Sequence, residues 1–129
     1  MFKVARSPID GQGLFSLSVI PARRKIGELG GEIISLREAR KRARHSKCVM
    51  IVEFADGSAL DASRGGTELR YVNHSCSPNT YMRVARRRVE FYCLRRISPG
   101  EELTCDYGET HHNGARRCGC GGPKCRGWI

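Results

Sequence analysis

A mostly-β domain of short strands with a single surface helix is the fold class this sequence predicts. Three observations lead to it. Apolar and β-branched residues come in short runs bounded by glycine, proline or an Asp-Gly pair, the spacing of strands and tight turns. Only one stretch, beginning at Ser35, carries a helix start signal. The 129 residues give room for one modest core but not for two.

Taken in order, Phe2 to Arg6 alternates and reads as a strand. Gly11-Gln12-Gly13 forces a tight turn where backbone comes close to something, since glycine has no Cβ to obstruct it; an ordinary hairpin is the alternative. Leu14-Phe15-Ser16 continues extended, and Pro21 to Lys25 is a basic turn. Ile26 to Ile34 is broken by Gly27, Gly30 and Gly31, so it predicts kinked strands with a bulge. Ser35 precedes Glu38 in the capping-box arrangement, and Ala, Arg and Lys carry the helix through Arg44. That helix has almost no apolar face and belongs on the surface. Val49 to Phe54 and Ala59 to Asp61 form a hairpin around Asp56-Gly57. Ser63 to Leu69 reads as loop and a helical turn. Thr80 to Val84 and Val89 to Leu94 form a second hairpin around an arginine-rich turn. Pro99-Gly100 turns the chain again, and Glu102 to Cys105 is a short strand. From Gly108 onward the chain is glycine-rich and polar, with no apolar face to fold around.

The chemistry is concentrated in two stretches. Tyr71-Val-Asn-His-Ser-Cys-Ser-Pro-Asn79 holds two amides, an imidazole and a thiol with few apolar neighbours. Polar groups outside a regular ladder must find other partners, which marks the stretch as a site; the alternative is a turn in which Asn73 and Asn79 bond their own backbone before Pro78. Cys118, Cys120 and Cys125 offer three thiolates close together in a tail that cannot bury apolar surface. Thiolates are the best zinc ligands, and a structural zinc takes four, so one more is expected from elsewhere in the fold.

Charge narrows the partners without choosing one. The formal net charge is +10, with basic clusters at Arg37 to Lys47, Arg83 to Arg88 and Arg116 to Arg126. These read either as solvated faces or as a surface for nucleic acid or an acidic partner. No apolar run is long enough to span a membrane, and no basic region followed by an apolar stretch opens the chain as a secretory signal would. Without such a signal, close-set thiols read as metal ligands before disulfides.

Asn73-His74-Ser75-Cys76-Ser77-Pro78-Asn79 resembles the signature loop of SET-domain protein lysine methyltransferases. Gly100-Glu-Glu-Leu-Thr-Cys-Asp-Tyr107 resembles the family's second motif, and the tail resembles its post-SET zinc element, including Arg126-Gly127 and Trp128-Ile129. Gly11 to Phe15, Gly27 to Glu32 and Leu60-Asp61-Ala62 fall in register as well, so the resemblance covers nearly the whole chain.

The resemblance implies a SET-domain (β-clip) fold over residues 1–108, with a knot-like C-terminal crossing, and a zinc-stapled post-SET tail over 109–129. It implies S-adenosylmethionine as cofactor, held by the turn Asp10, Gly11, Gln12 and Gly13 and by Tyr71, Asn73 and His74, with Trp128 packed near the adenine. Cys76 would be the fourth zinc ligand beside Cys118, Cys120 and Cys125. Tyr107 would be the catalytic tyrosine, with Leu29 and Cys105 beside it along the lysine channel. The family often has tyrosine at the position of Leu29, and phenylalanine or tyrosine at that of Cys105; Cys48 also falls where a tyrosine is found. The channel therefore has fewer aromatic walls than usual. No cysteine-rich segment precedes the domain, so a SET plus post-SET unit standing alone is expected.

Methyl transfer to an amine needs alignment and a neutral nucleophile. A free lysine, with pKa about 10.4, is neutral only about once in 2,500 at pH 7, so the channel must favour loss of the proton. The implied partner is a protein bearing a target lysine, a histone-like one among them, in an intracellular setting: chromatin in a eukaryote, cytoplasm in a bacterium. The alternative is a catalytically silent SET fold that uses its basic face on nucleic acid or chromatin.

Overall fold

Alternation and turn chemistry decide most of the architecture. The computed structural model describes residues 1–45, 50–106 and Cys125. Strands β1 (Phe2–Arg6) and β2 (Gln12–Ser16) pair antiparallel as a hairpin from Phe2↔Ser16 to Arg6↔Gln12. β3 (Lys25–Glu28) and β4 (Glu32–Ser35) are the two halves of the glycine-broken run, and the bulge falls between Lys25 and Gly27. Helix α1 (Leu36–His45) follows directly, with the Glu38 N–H donating to Ser35 Oγ at 3.1 Å as a capping box requires. The helix runs one residue past the expected Arg44, and only Ala39 on it is fully buried.

β5 (Ile51–Glu53) and β6 (Ser58–Asp61) close a three-stranded sheet in the order β4-β6-β5. Every residue of β6 is buried, as befits a central strand. A short 3-10 turn, Glu68–Tyr71, leads into β7 (Asn73–His74). β8 (Thr80–Ala85) and β9 (Arg88–Cys93) form the second hairpin, and β10 (Thr104–Cys105) ends the described fold. The larger sheet runs β3-β9-β8-β10-β7. In β9, Val89, Phe91 and Cys93 face a core shared with Leu14, Val72, Ile97 and Leu103. Among the described residues no helix is long and apolar enough to cross a membrane.

Helix α1 is held less by apolar packing than by one guanidinium. Arg42 donates to Asp61 Oδ2 at 2.9 Å, Glu32 Oε1 at 2.9 Å and Glu38 Oε1 at 3.0 Å. Asp61 is almost wholly buried, and its other oxygen accepts from the Ser63 N–H and hydroxyl. Burial pushes the Asp61 carboxyl up, but the bonds from Ser63 and Arg42 outweigh that and hold it below the usual carboxylate range. A depressed folded value means the contribution is full above the unfolded pKa of about 3.9 and disappears as pH falls through the folded one. Replacing Arg42 by methionine should destabilise the fold at pH 7, because it strands the Asp61 carboxylate without its cation. Urea midpoints at pH 7 and pH 3 check this: the gap between parent and variant should narrow at pH 3, and a gap independent of pH would refute it.

Candidate active site

Strands that follow each other across a short connection normally lie side by side. β7 and β8 do not, although only residues 75–79 join them. β10 lies between them and parallel to both, with Cys105 opposite His74 on one side and Thr80 on the other. Residues 75–79 therefore arch over β10, which is the expected knot-like crossing. The Ser75 N–H donates to Cys105 O at 3.0 Å, and the Thr80 hydroxyl to Thr104 O at 2.7 Å. Asn79, 3% exposed, binds hardest: its amide donates to Glu102 O at 2.8 Å and Glu101 Oε2 at 3.1 Å, and its Oδ1 accepts the Thr104 N–H at 2.8 Å.

The stretch expected to be a loop without a ladder thus contains a strand, β7, although only two residues of it. Neither Asn73 nor Asn79 spends its side chain on its own turn. Asn73 Nδ2 donates to Asp10 O at 3.1 Å, Gln12 O at 3.0 Å and Glu102 Oε2 at 3.0 Å. The same carboxylate accepts the Ser7 hydroxyl at 2.9 and 2.7 Å. This explains the glycine turn. Gly11 takes a φ of 42°, and a Cβ on Gly13 would run into the Glu102 carboxylate. The close approach anticipated at Gly11-Gln12-Gly13 is real, and among the described residues its partner is protein. Asp10, Gly11 and Gln12 are exposed at the edge of this junction, while Gly13 is buried in it.

His74 is buried, with Nε2 3.4 Å from Cys76 Sγ and Nδ1 3.8 Å from Asp106 Oδ1. Cys76, on the arch, and Cys125 are both half-buried. Tyr71 is half-buried, its ring covered by the Arg70 guanidinium 4.7 Å from the centroid, and its hydroxyl accepts from Arg70 Nη2 at 2.6 Å. Leu29 and Cys105 belong to the main core cluster at 4% and 1% exposure. Burial pushes the Cys105 thiol up to about 12, so it is protonated and uncharged at neutral pH. Cys48, Tyr107, Cys118, Cys120 and Trp128 lie outside the described residues.

Sequence reasoning brought the two motifs to one place and missed what fastens them. Ser7 and Glu102 had no assigned part and Asn79 only that of a local turn, yet they join three chain segments. The signal available was weak: Glu102 and Asn79 sit inside the two motifs, but nothing in spacing says that a carboxylate and an amide so far apart share partners.

Comparison with known proteins agrees with this geometry. A family model described as the SET domain matches residues 11–108. Histone-lysine N-methyltransferase trithorax of Drosophila virilis is 36% identical over 135 residues, covering 98% of this chain and 4% of that protein. Histone-lysine N-methyltransferase ASHH1 of Arabidopsis thaliana is 38% identical over 129 residues, covering 92% of this chain and 26% of that protein. Histone-lysine N-methyltransferase 2B of Homo sapiens is 34% identical over 136 residues, covering 98% and 5%. The chain spans only a small part of the length of these relatives. The match opens at Gly11, the first glycine of the turn that Asn73 holds, and runs past the strand that threads the arch: the chain belongs to the SET-domain family.

Proposed function

We propose that this chain is a protein-lysine N-methyltransferase that transfers a methyl group from S-adenosylmethionine to a lysine ε-amine, with a histone or another chromatin-associated protein as substrate class. The observation that carries the reading is the meeting of three distant segments at Asn73: the turn at Asp10–Gly13, strand β7, and the Glu102 run that enters β10. An exposed glycine turn fixed by a side-chain amide suits a backbone-lined cofactor cradle. The donor would supply an electrophilic methyl carbon on a sulfonium. Asn73 keeps the cradle in place, and buried His74 fixes the strand beside it. Tyr107, two residues beyond Cys105, would orient the incoming amine through its phenol, a weak nucleophile at neutral pH. The apolar surroundings of Leu29 and Cys105 favour the neutral form of a lysine that enters there.

A zinc held by Cys76, Cys118, Cys120 and Cys125 is part of this reading. Four thiols are a donor set suited to zinc, and half-buried Cys76 beside His74 suits a ligand offered from the arch. Contact with nucleic acid through the basic clusters is supported by the charge of +10. Chromatin in a eukaryote, or cytoplasm in a bacterium, is the location that goes with this substrate class.

Transfer of a labelled methyl group to histones and to whole-cell protein tests the reading directly. Tyr107→Phe should lower turnover about 100-fold while cofactor affinity changes less than about threefold, since the phenol acts on alignment more than on binding. Cofactor binding is read by calorimetry with S-adenosylhomocysteine. A parent protein that binds no cofactor and transfers no methyl group would leave the silent chromatin-binding alternative in its place.

A further inference from the structure

Beside Leu29 the surface falls into a depression of about 360 Å³, bordered by Glu28, Leu29, Gly30, Gly31, Arg87 and Arg88. Leu29, which the family resemblance assigns to the lysine channel, lines this depression and belongs with Leu60 and Val89 to the core cluster that also contains Cys105. The rim is built from a costly turn. Ala85 pairs with Arg88, which leaves Arg86 and Arg87 as the two central residues of the β8–β9 hairpin, with φ of 51° and 61°. A two-residue turn of this hand is normally made by asparagine and glycine, which reach positive φ with less strain. Strain of this kind at an observed outlier points towards function. What Arg87 provides that a glycine there would not is cationic charge on the depression, next to that of Arg88.

We propose that the β8–β9 tip selects target lysines that have aspartate or glutamate within about three positions, the ~10 Å reach of three extended residues. This rests on the methyltransferase reading and narrows its substrate to a lysine in an acidic context, unlike a basic tail. Arg87 Nε now bonds Asp56 Oδ2 at 2.8 Å, and Arg88 pairs with Glu28 at 2.5 Å. Both pairs are exposed, so they hold weakly and can be exchanged. A substrate carboxylate can take the place of Asp56 or Glu28 on the same guanidinium, a planar fork that fits a carboxylate with two parallel bonds. A chain carrying +10 repels a basic peptide and attracts an acidic one, and the tip turns that general attraction into a position.

Two peptides with one lysine in the same glycine-serine frame, flanked by aspartate or by arginine, test the proposal. Binding is followed by fluorescence anisotropy with S-adenosylhomocysteine at 0.15 M salt, and methyl transfer is followed separately with labelled S-adenosylmethionine. The acidic peptide should bind about tenfold tighter or better, as one charge-assisted pair would give. Arg87→Asn with Arg88→Gln, which keeps a residue tolerant of positive φ, should lose most of that preference. Arg37→Gln with Arg40→Gln removes the same charge from exposed positions of α1 and should keep it. Equal losses in the two double variants, or no preference in the parent, would overturn the proposal. Equal methyl transfer to both peptides would overturn it too, while leaving the methyltransferase reading intact. Selective binding through the tip with no transfer to any peptide would support the docking surface and count against that reading.

Discussion

Asn79→Ala should remove about 4 kcal/mol of stability, roughly a thousandfold in the folding equilibrium, although the side chain lost is small and polar. The reason lies in what the amide holds. It donates to the Glu102 carbonyl and the Glu101 carboxylate, both partly buried, and accepts the buried Thr104 N–H. Alanine leaves at least a donor and an acceptor of the main chain without partners where water has little access, at about 1–3 kcal/mol each. Domains of this size are stable by only about 5–15 kcal/mol, so the loss is a large fraction of the total. Asn79→Asp separates shape from charge. It keeps the acceptor for Thr104 but turns an oxygen towards the Glu102 carbonyl and the Glu101 carboxylate. That variant should be destabilised at pH 7 and recover as the new carboxyl is protonated in acid. Urea unfolding of parent and variants at two pH values decides the matter. A midpoint shift worth less than about 1 kcal/mol in Asn79→Ala would mean that the crossing is held by the packing of Leu103 and Ile97 instead.

The hairpins and the helix were legible because their information is local. Alternation from Val89 to Leu94 marks the strand that became β9, and Ser35 with Glu38 marks the helix start; both expectations hold. The site was legible only as two motifs. Their crossing was implied by the family resemblance alone, and the parallel pairing was not legible, because β7 and β10 are two residues each, too short to show any period. Asn73 and Glu102 are 29 residues apart, and a hydrogen bond across that interval leaves no trace in spacing. One charge was misread for the same reason. Arg42 looked like one more solvated cation of a basic helix, yet it is the bolt between α1 and a buried carboxylate. The arginine-rich turn of the second hairpin stands where it was expected, but its left-handed form at Arg86 and Arg87 was not legible, because the glycine or asparagine that marks such a turn is missing.

Removing the zinc proposed at Cys76, Cys118, Cys120 and Cys125 should have a large effect, and its first sign should be structural. The tail from residue 108 is polar and glycine-rich, so metal binding is the means of ordering it that its composition offers. The thiols can be sorted by chemistry. Cys93 and Cys105 are buried in the core, and burial pushes both thiols up, Cys105 to about 12. A ligand must be a thiolate, so these two are unsuited to the metal. Cys76 differs: it is half-buried on the arch, with a histidine nitrogen 3.4 Å from its sulfur that can orient it. The parent protein purified without chelator should therefore carry one zinc per chain by mass spectrometry of the metal. Cys76→Ser should bind it at least about 100-fold more weakly, while Cys93→Ser should retain it in full. Chelation of the parent should open the tail to trypsin at Arg116, Arg117, Lys124 and Arg126 and leave the β8–β9 hairpin protected. Cofactor affinity should fall together with that protection if Trp128 packs near the adenine. Falling pH should release the metal as the thiolates are protonated. Full zinc content in Cys76→Ser would remove the arch from the ligand set. A tail equally resistant to trypsin with and without chelator would show that it is ordered by other means.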